Sequence, residues 1–385
     1  MIAVGPLSLA LYTPALPTLA DAFGVGPGAI KLTLTLYFFG FCAAQLVCGP
    51  LSDAFGRRPV ALGFLAIYLA GSAVALAAPT ILVLQIGRAL QGIGAAAGVA
   101  TSRAMVRDLF IGQASARIMN RIGLMVALVP ALSPTLGALI LAGGHWRWIF
   151  ALMFVYAVVL VAAMPVLLPE TNRHADPAQL KPARVAANYA TLLADRRFMA
   201  PAGLMALVLG GVYTLPSVMP FVLIGKLGLT PLQFAAALLA QTASLLVANL
   251  LASRLLRRTP ARRLVPVGVV IIVAAGVGFA AIRLFDAPPL AAFIIPSALW
   301  TSGIPFVTPG AMTAALAHFP QTAGAASALI GFMQMGGGFL GSAIAAAAFG
   351  DPMAAVDTLM PAISFLTGLV LLALPPAPGQ GDGDA

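Results

Sequence analysis

GPLSDAFGRRP, Gly49 to Pro59, sets Asp53, Arg57 and Arg58 between two long apolar runs. Only 8% of the chain is charged and 61% is hydrophobic, against roughly 25% charged in an average soluble domain. Charges gathered between apolar runs therefore mark a turn joining two membrane-crossing segments, and the rest of the chain can be read outward from it.

The 385 residues have a mean hydropathy of +1.01, carried by apolar runs near the ~20 residues that a helix needs to cross a ~30 Å hydrocarbon core. Backbone in a bilayer must satisfy its own hydrogen bonds, so spans are helices or a closed barrel, and these runs are solidly apolar rather than alternating. A soluble helical domain would need polar faces that they lack. Twelve spans are expected: 2–22, 30–50, 59–78, 80–102, 118–142, 147–168, 199–224, 231–253, 264–284, 289–313, 322–348 and 354–374. The fold class is thus an all-α membrane protein of two six-helix halves, 1–168 and 199–374, with a central loop at 169–198 and a tail at 375–385.

Lys31, Arg147, Lys226 and Arg283 fall in loops on one side, and every other basic residue except Arg88 falls in loops on the opposite side. Because cytoplasmic loops are enriched in Lys and Arg, both termini and the central loop are expected in the cytoplasm. The net charge of +10 then follows from topology and anionic lipid, with no need for nucleic acid. Cys42 and Cys48 share one span about 9 Å apart along its axis, too far to pair. Met1 and Ile2 enter an apolar run without a basic lead-in, so no cleavable signal is expected and a start codon could lie upstream.

The loop after the eighth span, SRLLRRTPARR at Ser253 to Arg263, echoes the basic cluster after the second, without its acid. Halves related by an axis along the membrane normal mark one large transporter class. GPLSDAFGRRP resembles the signature loop between spans two and three of the major facilitator superfamily, G-x-L-[AS]-D-x-x-G-R-[RK], matched by Gly49, Leu51, Ser52, Asp53, Gly56, Arg57 and Arg58. Arg88, Gln91, Gly92, Gly94, Ala95 and Ala96 fit its span-four pattern. Ser133, Pro134 and Gly137 partly fit its antiporter pattern in span five, with Ala138 in place of the last Gly. YTPALP at Tyr12–Pro17, SRAMVRDL at Ser102–Leu109 and GHWRWIF at Gly144–Phe150 are similar to the Bcr/CflA multidrug-efflux group (DHA1, twelve spans). That resemblance implies a proton-driven exporter in the bacterial inner membrane. Where such exporters carry Asp two residues before the Tyr, this chain has Ala10.

Arg88 lies about 12 Å into span four, and a lone charge at that depth is a functional expectation by default; Gln91 shares its face. Polar and aromatic residues at mid-depth, where transporter sites sit, are Tyr12, Phe38, Gln45, Arg88, Gln91, Tyr213, Thr214, Gln241, Trp300, Thr301 and Gln334, with Met205, Met219, Met312 and Met333 as adaptable lining. The mostly apolar wall suits amphiphilic drugs such as phenicols or bicyclomycin better than sugars. Each of these side chains could instead be a helix-packing contact. Proton coupling through a central carboxylate is not supported, since all eleven acids lie near the span ends or in loops. Coupling through Asp21, through substrate charge, or not at all stays open.

Pro130, Ser133, Pro134 and Gly137 are expected to form a close-packed hinge in span five. Gly49, Asp53, Gly56, Arg57 and Arg58 are expected to act as a latch between the halves, through helix ends and opposite charges. No catalytic or metal constellation and no P-loop emerges: His145, His174 and His318 are scattered. The expectation is a monomeric transporter without a cofactor, taking a small molecule and exchanging it for protons. Metabolite export or uniport is the alternative, and a non-transporting receptor or scaffold the remote one.

Overall fold

The computed structural model describes residues 1–109, 118, 129–130, 132–172, 182–286, 288–319 and 322–374, and their regular structure is all helical. The helices are α1 (Val4–Tyr12), α2 (Leu16–Phe23), α3 (Pro27–Phe55), α4 (Arg57–Ala77), α5 (Ile81–Leu109), α6 (Leu132–Gly143), α7 (Arg147–Leu167), α8 (Pro182–Ala194), α9 (Arg196–Pro220), α10 (Pro231–Leu255), α11 (Ala261–Ala280), α12 (Ala291–Leu316), α13 (Ala323–Ala347) and α14 (Pro352–Leu372). Ten of the described helices are long and apolar enough to cross a membrane. The expected first span is divided: Pro14 and Pro17 donate no backbone hydrogen bond, and Thr13–Ala15 between α1 and α2 tightens into a 3₁₀ turn. Of the expected fifth span, α6 and residues 118, 129 and 130 are described, and residues 119–128 and 131 lie outside the described residues.

Polar side chains cap the starts of α9, α10 and α14. Thr230 and Gln233 form a reciprocal capping box at the start of α10 with Pro231 as its first residue, while Asp195 and Asp351 accept from the Arg197 and Met353 backbone N–H at the starts of α9 and α14. Each satisfies donors that a helix start leaves open.

The stretch Gly49–Pro59 corrects one expectation. Span two does not end at residue 50, and Gly49–Phe55 are not loop: α3 continues through Pro50 to Phe55, about 44 Å in all, and the chain turns at one residue, Gly56. Two features permit this. Pro50 has no N–H for the Leu46 carbonyl, and the Tyr189 hydroxyl of α8 donates to that carbonyl at 2.8 Å instead. Gly56 adopts φ +99° and ψ +155°, a region open essentially to glycine, and a Cβ there would stand 2.6 Å from Oε2 of Glu170. That carboxylate takes the first backbone N–H groups of α4, from Arg57 and Arg58, at 2.9 Å each. An anion at a helix N-terminus is favourable.

Apolar side chains gather in two large cores, one from Val4 to Met164 joined by Phe221, the other from Leu192 to Met360. Within the first, α5 packs on α3 and α4, and a Cβ on Gly92 would collide with the Tyr37 carbonyl. Within the second, α9 packs on α13, where the Gly210 and Gly337 backbones meet, and α11 packs on α12 and α14. Small residues let helices approach this closely without water to drive them together. The cores meet chiefly along α3 and α13. Arg57 and Arg257 mark one end of the bundle, called the basic end below, and Lys31, Lys226 and Arg283 mark the opposite end.

Gly56→Ala is expected to cost about 1–3 kcal/mol from the backbone alone, more once Glu170 is displaced. It should lower the melting temperature of the detergent-purified chain by several degrees; an unchanged melting temperature would contradict the reading of this turn.

Candidate functional site

Arg88 of α5 is fully buried in the first core. Its guanidinium lies between two rings, 4.4 Å from the centroid of Tyr12 and 4.3 Å from that of Tyr37. Nη1 donates to Gln91 Oε1 at 2.8 Å; the Gln91 amide nitrogen donates to Ser72 Oγ at 2.9 Å and contacts Met153 Sδ at 3.6 Å. The surrounding hydroxyls are engaged with one another and with backbone: Tyr12 with Thr33 at 2.8 Å, Tyr37 donating to the Gly5 carbonyl at 3.1 Å, and Tyr68 with Ser8. Arg88 Nε and Nη2 have no hydrogen-bond partner among the described residues. The cage therefore fixes a cation by π contact and one hydrogen bond, with no carboxylate among its contacts.

In front of the cage runs the seam between the halves. Phe38 meets the Tyr213 ring at 5.7 Å and Tyr37 at 6.0 Å, so one aromatic row links the cage to α9. Toward the opposite end Thr35 bonds Ser342 at 2.8 Å, Phe39 meets Phe339 at 5.6 Å, and the buried Lys31 donates from Nζ to the Ala345 carbonyl at 3.2 Å. Lys31 is thus inside α3 and not in a loop as its position suggested; it answers one of the carbonyls that α13 leaves open at its C-terminus, where a cation is favoured. Toward the basic end the Gln45 amide packs on Gly331.

At the basic end Arg57 ties α3 to α5, pairing with Asp53 and, from Nε, with Asp108 at 3.0 Å, while Nη1 also reaches Ser52 at 2.7 Å. Arg58 donates to the Pro165 carbonyl at 2.7 Å, and Asn172 donates to the carbonyls of Ser52 and Asp53. These latch residues thus bind α3, α5 and the segment after α7, all within residues 49–172. Burial pushes the Glu170 carboxyl up, but the backbone N–H groups of Asn172, Arg57, Arg58 and Thr171 outweigh it and hold the group below the usual carboxylate range.

The sequence pattern of the Major Facilitator Superfamily matches residues 1–342. The chain belongs to that superfamily. A bicyclomycin resistance protein homolog of Haemophilus influenzae is 28% identical over 352 residues, 88% of this chain and 85% of the relative. A chloramphenicol resistance protein of Pseudomonas aeruginosa is 30% identical over 342 residues, 87% of this chain and 79% of the relative. The xylose transporter XylE of Escherichia coli, in a partially occluded inward-open conformation, superposes with a TM-score of 0.73 over 97% of this chain and 96% of its own, at 13% identity, and so shares the fold. This is a multi-pass membrane transporter for a small-molecule substrate, not an enzyme.

Against that background the expected site residues of this major facilitator protein fall into three groups. Tyr12, Arg88 and Gln91 come together in the cage, and Phe38, Gln45 and Tyr213 line the seam. In the second half Trp300 donates to the Val208 carbonyl at 3.0 Å with its ring against Gly211, Thr214 bonds the Gly210 carbonyl at 2.8 Å, and Thr301 bonds Ser244 and the carbonyls of Gln241, Ser297 and Ala298. Those three polar groups are satisfied within their own half, whereas the Gln241 and Gln334 side chains stay half-buried. Met205 and Met219 are likewise core residues. In α6, Gly137 lies against the Leu11 carbonyl of α1, Ser133 bonds the Val129 carbonyl at 2.6 Å and Pro134 is buried; Pro130, just before α6, is exposed. Tyr37, Tyr68, Ser72, Lys31, Asp108, Glu170 and Tyr189 were missed; a Tyr immediately before Phe38, in YFF, was the one local hint.

A carboxyl held low in the folded state stabilises it above its unfolded value of about 4.3 and loses that contribution as the pH falls through the folded value. The melting temperature of Glu170→Gln should therefore lie below wild type at neutral pH, and the gap should close as the pH drops toward 3. A gap independent of pH would assign Glu170 a purely steric role.

Proposed function

We propose that this transporter exports small amphiphilic compounds from the bacterial inner membrane, as a monomer with both termini in the cytoplasm, by alternating access of the halves 1–168 and 199–374 about the central segment 169–198. The observation that carries the substrate class is the match, over most of both chains, to relatives named for bicyclomycin and chloramphenicol resistance. The seam supports the mechanism. Its polar links between the halves include Lys31 to Ala345 and Thr35 to Ser342, with aromatic pairs beside them, and the central segment adds Tyr189 to Leu46. The neutral links and aromatic pairs are worth about 0.5–1.5 kcal/mol each and the charged Lys31 bond about 1.5–3 kcal/mol, which suits contacts made and broken in every cycle. In this reading α6 is the hinge, and the Gly49–Arg58 segment exchanges its partners in residues 49–172 for helix ends of the second half when the basic end closes.

Proton antiport is the coupling we favour, from the span-five antiporter pattern; uncoupled facilitation is the second reading. It is favoured by the acids, whose described members lie at or near helix ends, as Asp53, Asp108, Asp195 and Asp351 do. Purified protein in proteoliposomes should move chloramphenicol several-fold faster with an imposed pH gradient than without; equal rates would remove antiport and leave the facilitator. Asp53→Asn should lower that rate several-fold at unchanged membrane insertion. Wild-type turnover in this variant would reduce the segment to a topology anchor.

A further inference from the structure

Among the described residues, the buried side-chain atoms left without a hydrogen-bond partner are Arg88 Nε, Arg88 Nη2 and Thr135 Oγ1. The two on Arg88 are not an arbitrary pair. Nε–H and one N–H of Nη2 point the same way in the guanidinium plane and form its side-on fork, whose spacing matches the two oxygens of a carboxylate. Nη1, outside that fork, is the nitrogen already taken by Gln91.

Arginine stays protonated in proteins, and a lone charge at mid-depth is costly. The two ring contacts offset only part of that cost. The nearby hydroxyls supply no counter-charge, and Tyr12, Tyr37 and Tyr68 already have partners. The acids among the described residues lie at or near helix ends or in connecting segments. The fork therefore has donors, charge and shape for an anion that the described residues do not provide.

The cover of the cage is placed to move. Tyr12 is the last residue of α1, immediately before the 3₁₀ turn that breaks the span, and this turn touches α9 and α10 of the other half. Tyr37 adjoins Phe38, whose ring meets Tyr213 across the seam. Both rings thus stand one layer behind the surface that parts when the halves separate, and interrupted helices are where transporters place ligands.

We propose that the side-on fork of Arg88 is a subsite for the carboxylate of an amphiphilic substrate, opened by displacement of the Tyr12 and Tyr37 rings. The proposal rests on the transport reading above and adds monocarboxylates to its substrate range.

The test is equilibrium dialysis of the full chain in lipid nanodiscs with radiolabelled 4-phenylbutyrate and its neutral isostere 4-phenylbutyramide, at neutral pH in methanesulfonate buffer. Wild type should bind the acid about tenfold more tightly than the amide, the scale of one charge-assisted pair. Arg88→Gln should lose that preference, and Arg88→Lys, a charge without the fork, should keep only part of it. Equal affinity for acid and amide in wild type, binding of neither, or a preference surviving in Arg88→Gln would overturn the proposal. If Arg88→Gln does not fold, the wild-type ratio decides. Abolition of the preference by physiological chloride would assign the fork to a small inorganic anion and also overturn it. Chloramphenicol transport by a protein with no acid preference would remove the subsite and leave the transport reading; acid binding without any transport would do the reverse.

Discussion

Backbone and charge inside a bilayer have no water to turn to, and most of the distinctive features of this chain are answers to that constraint. Pro50 strips the Leu46 carbonyl of its donor, and Tyr189 replaces it from 143 residues further along the chain. The N-terminus of α4, exposed by the turn at Gly56, is closed by Glu170. The C-terminus of α13 receives the Lys31 ammonium from the other half. In each case a local defect in one helix is repaired by a distant side chain, so the repair also fixes where the helices lie relative to one another.

Arg88 is the place where the repair is incomplete, and the contrast gives it its interest. Arg57, also buried, has acids on two sides; Arg88 has two rings, one amide oxygen and two open donors. A buried donor pair is left unpaired only at a cost, and such costs concentrate at functional positions.

The sequence carried the architecture because hydropathy and the charge of the loops act locally. Apolar run lengths located the ten helices that are long enough to cross, and Gly49, Asp53, Gly56, Arg57 and Arg58 marked the superfamily. Arg88 and Gln91 could be paired from their spacing of three along one helix. What could not be read was anything that depends on the rotation of one helix against another. Tyr37 and Tyr12 converge on Arg88 only through the packing of α1 and α3 on α5. Pro50 looked like a helix end because the hydroxyl that repairs it lies in the central segment. Lys31 looked like a loop charge because nothing near it in sequence shows that α13 ends beside it. Conversely, Trp300 and Thr301 had the depth and chemistry of a cavity wall, yet the Val208 and Gln241 carbonyls occupy their polar atoms.

The central claim is that the two halves part and close about the α3–α13 seam, with the ends alternating. Double electron–electron resonance on a variant with Cys42 and Cys48 replaced tests it directly, with spin labels at positions 21 and 286 for the opposite end and at 55 and 257 for the basic end. The account predicts two populations at each pair, with the long distance at one end coinciding with the short distance at the other and their weights shifting on addition of substrate. A single distance at both pairs, unchanged by substrate, would contradict it.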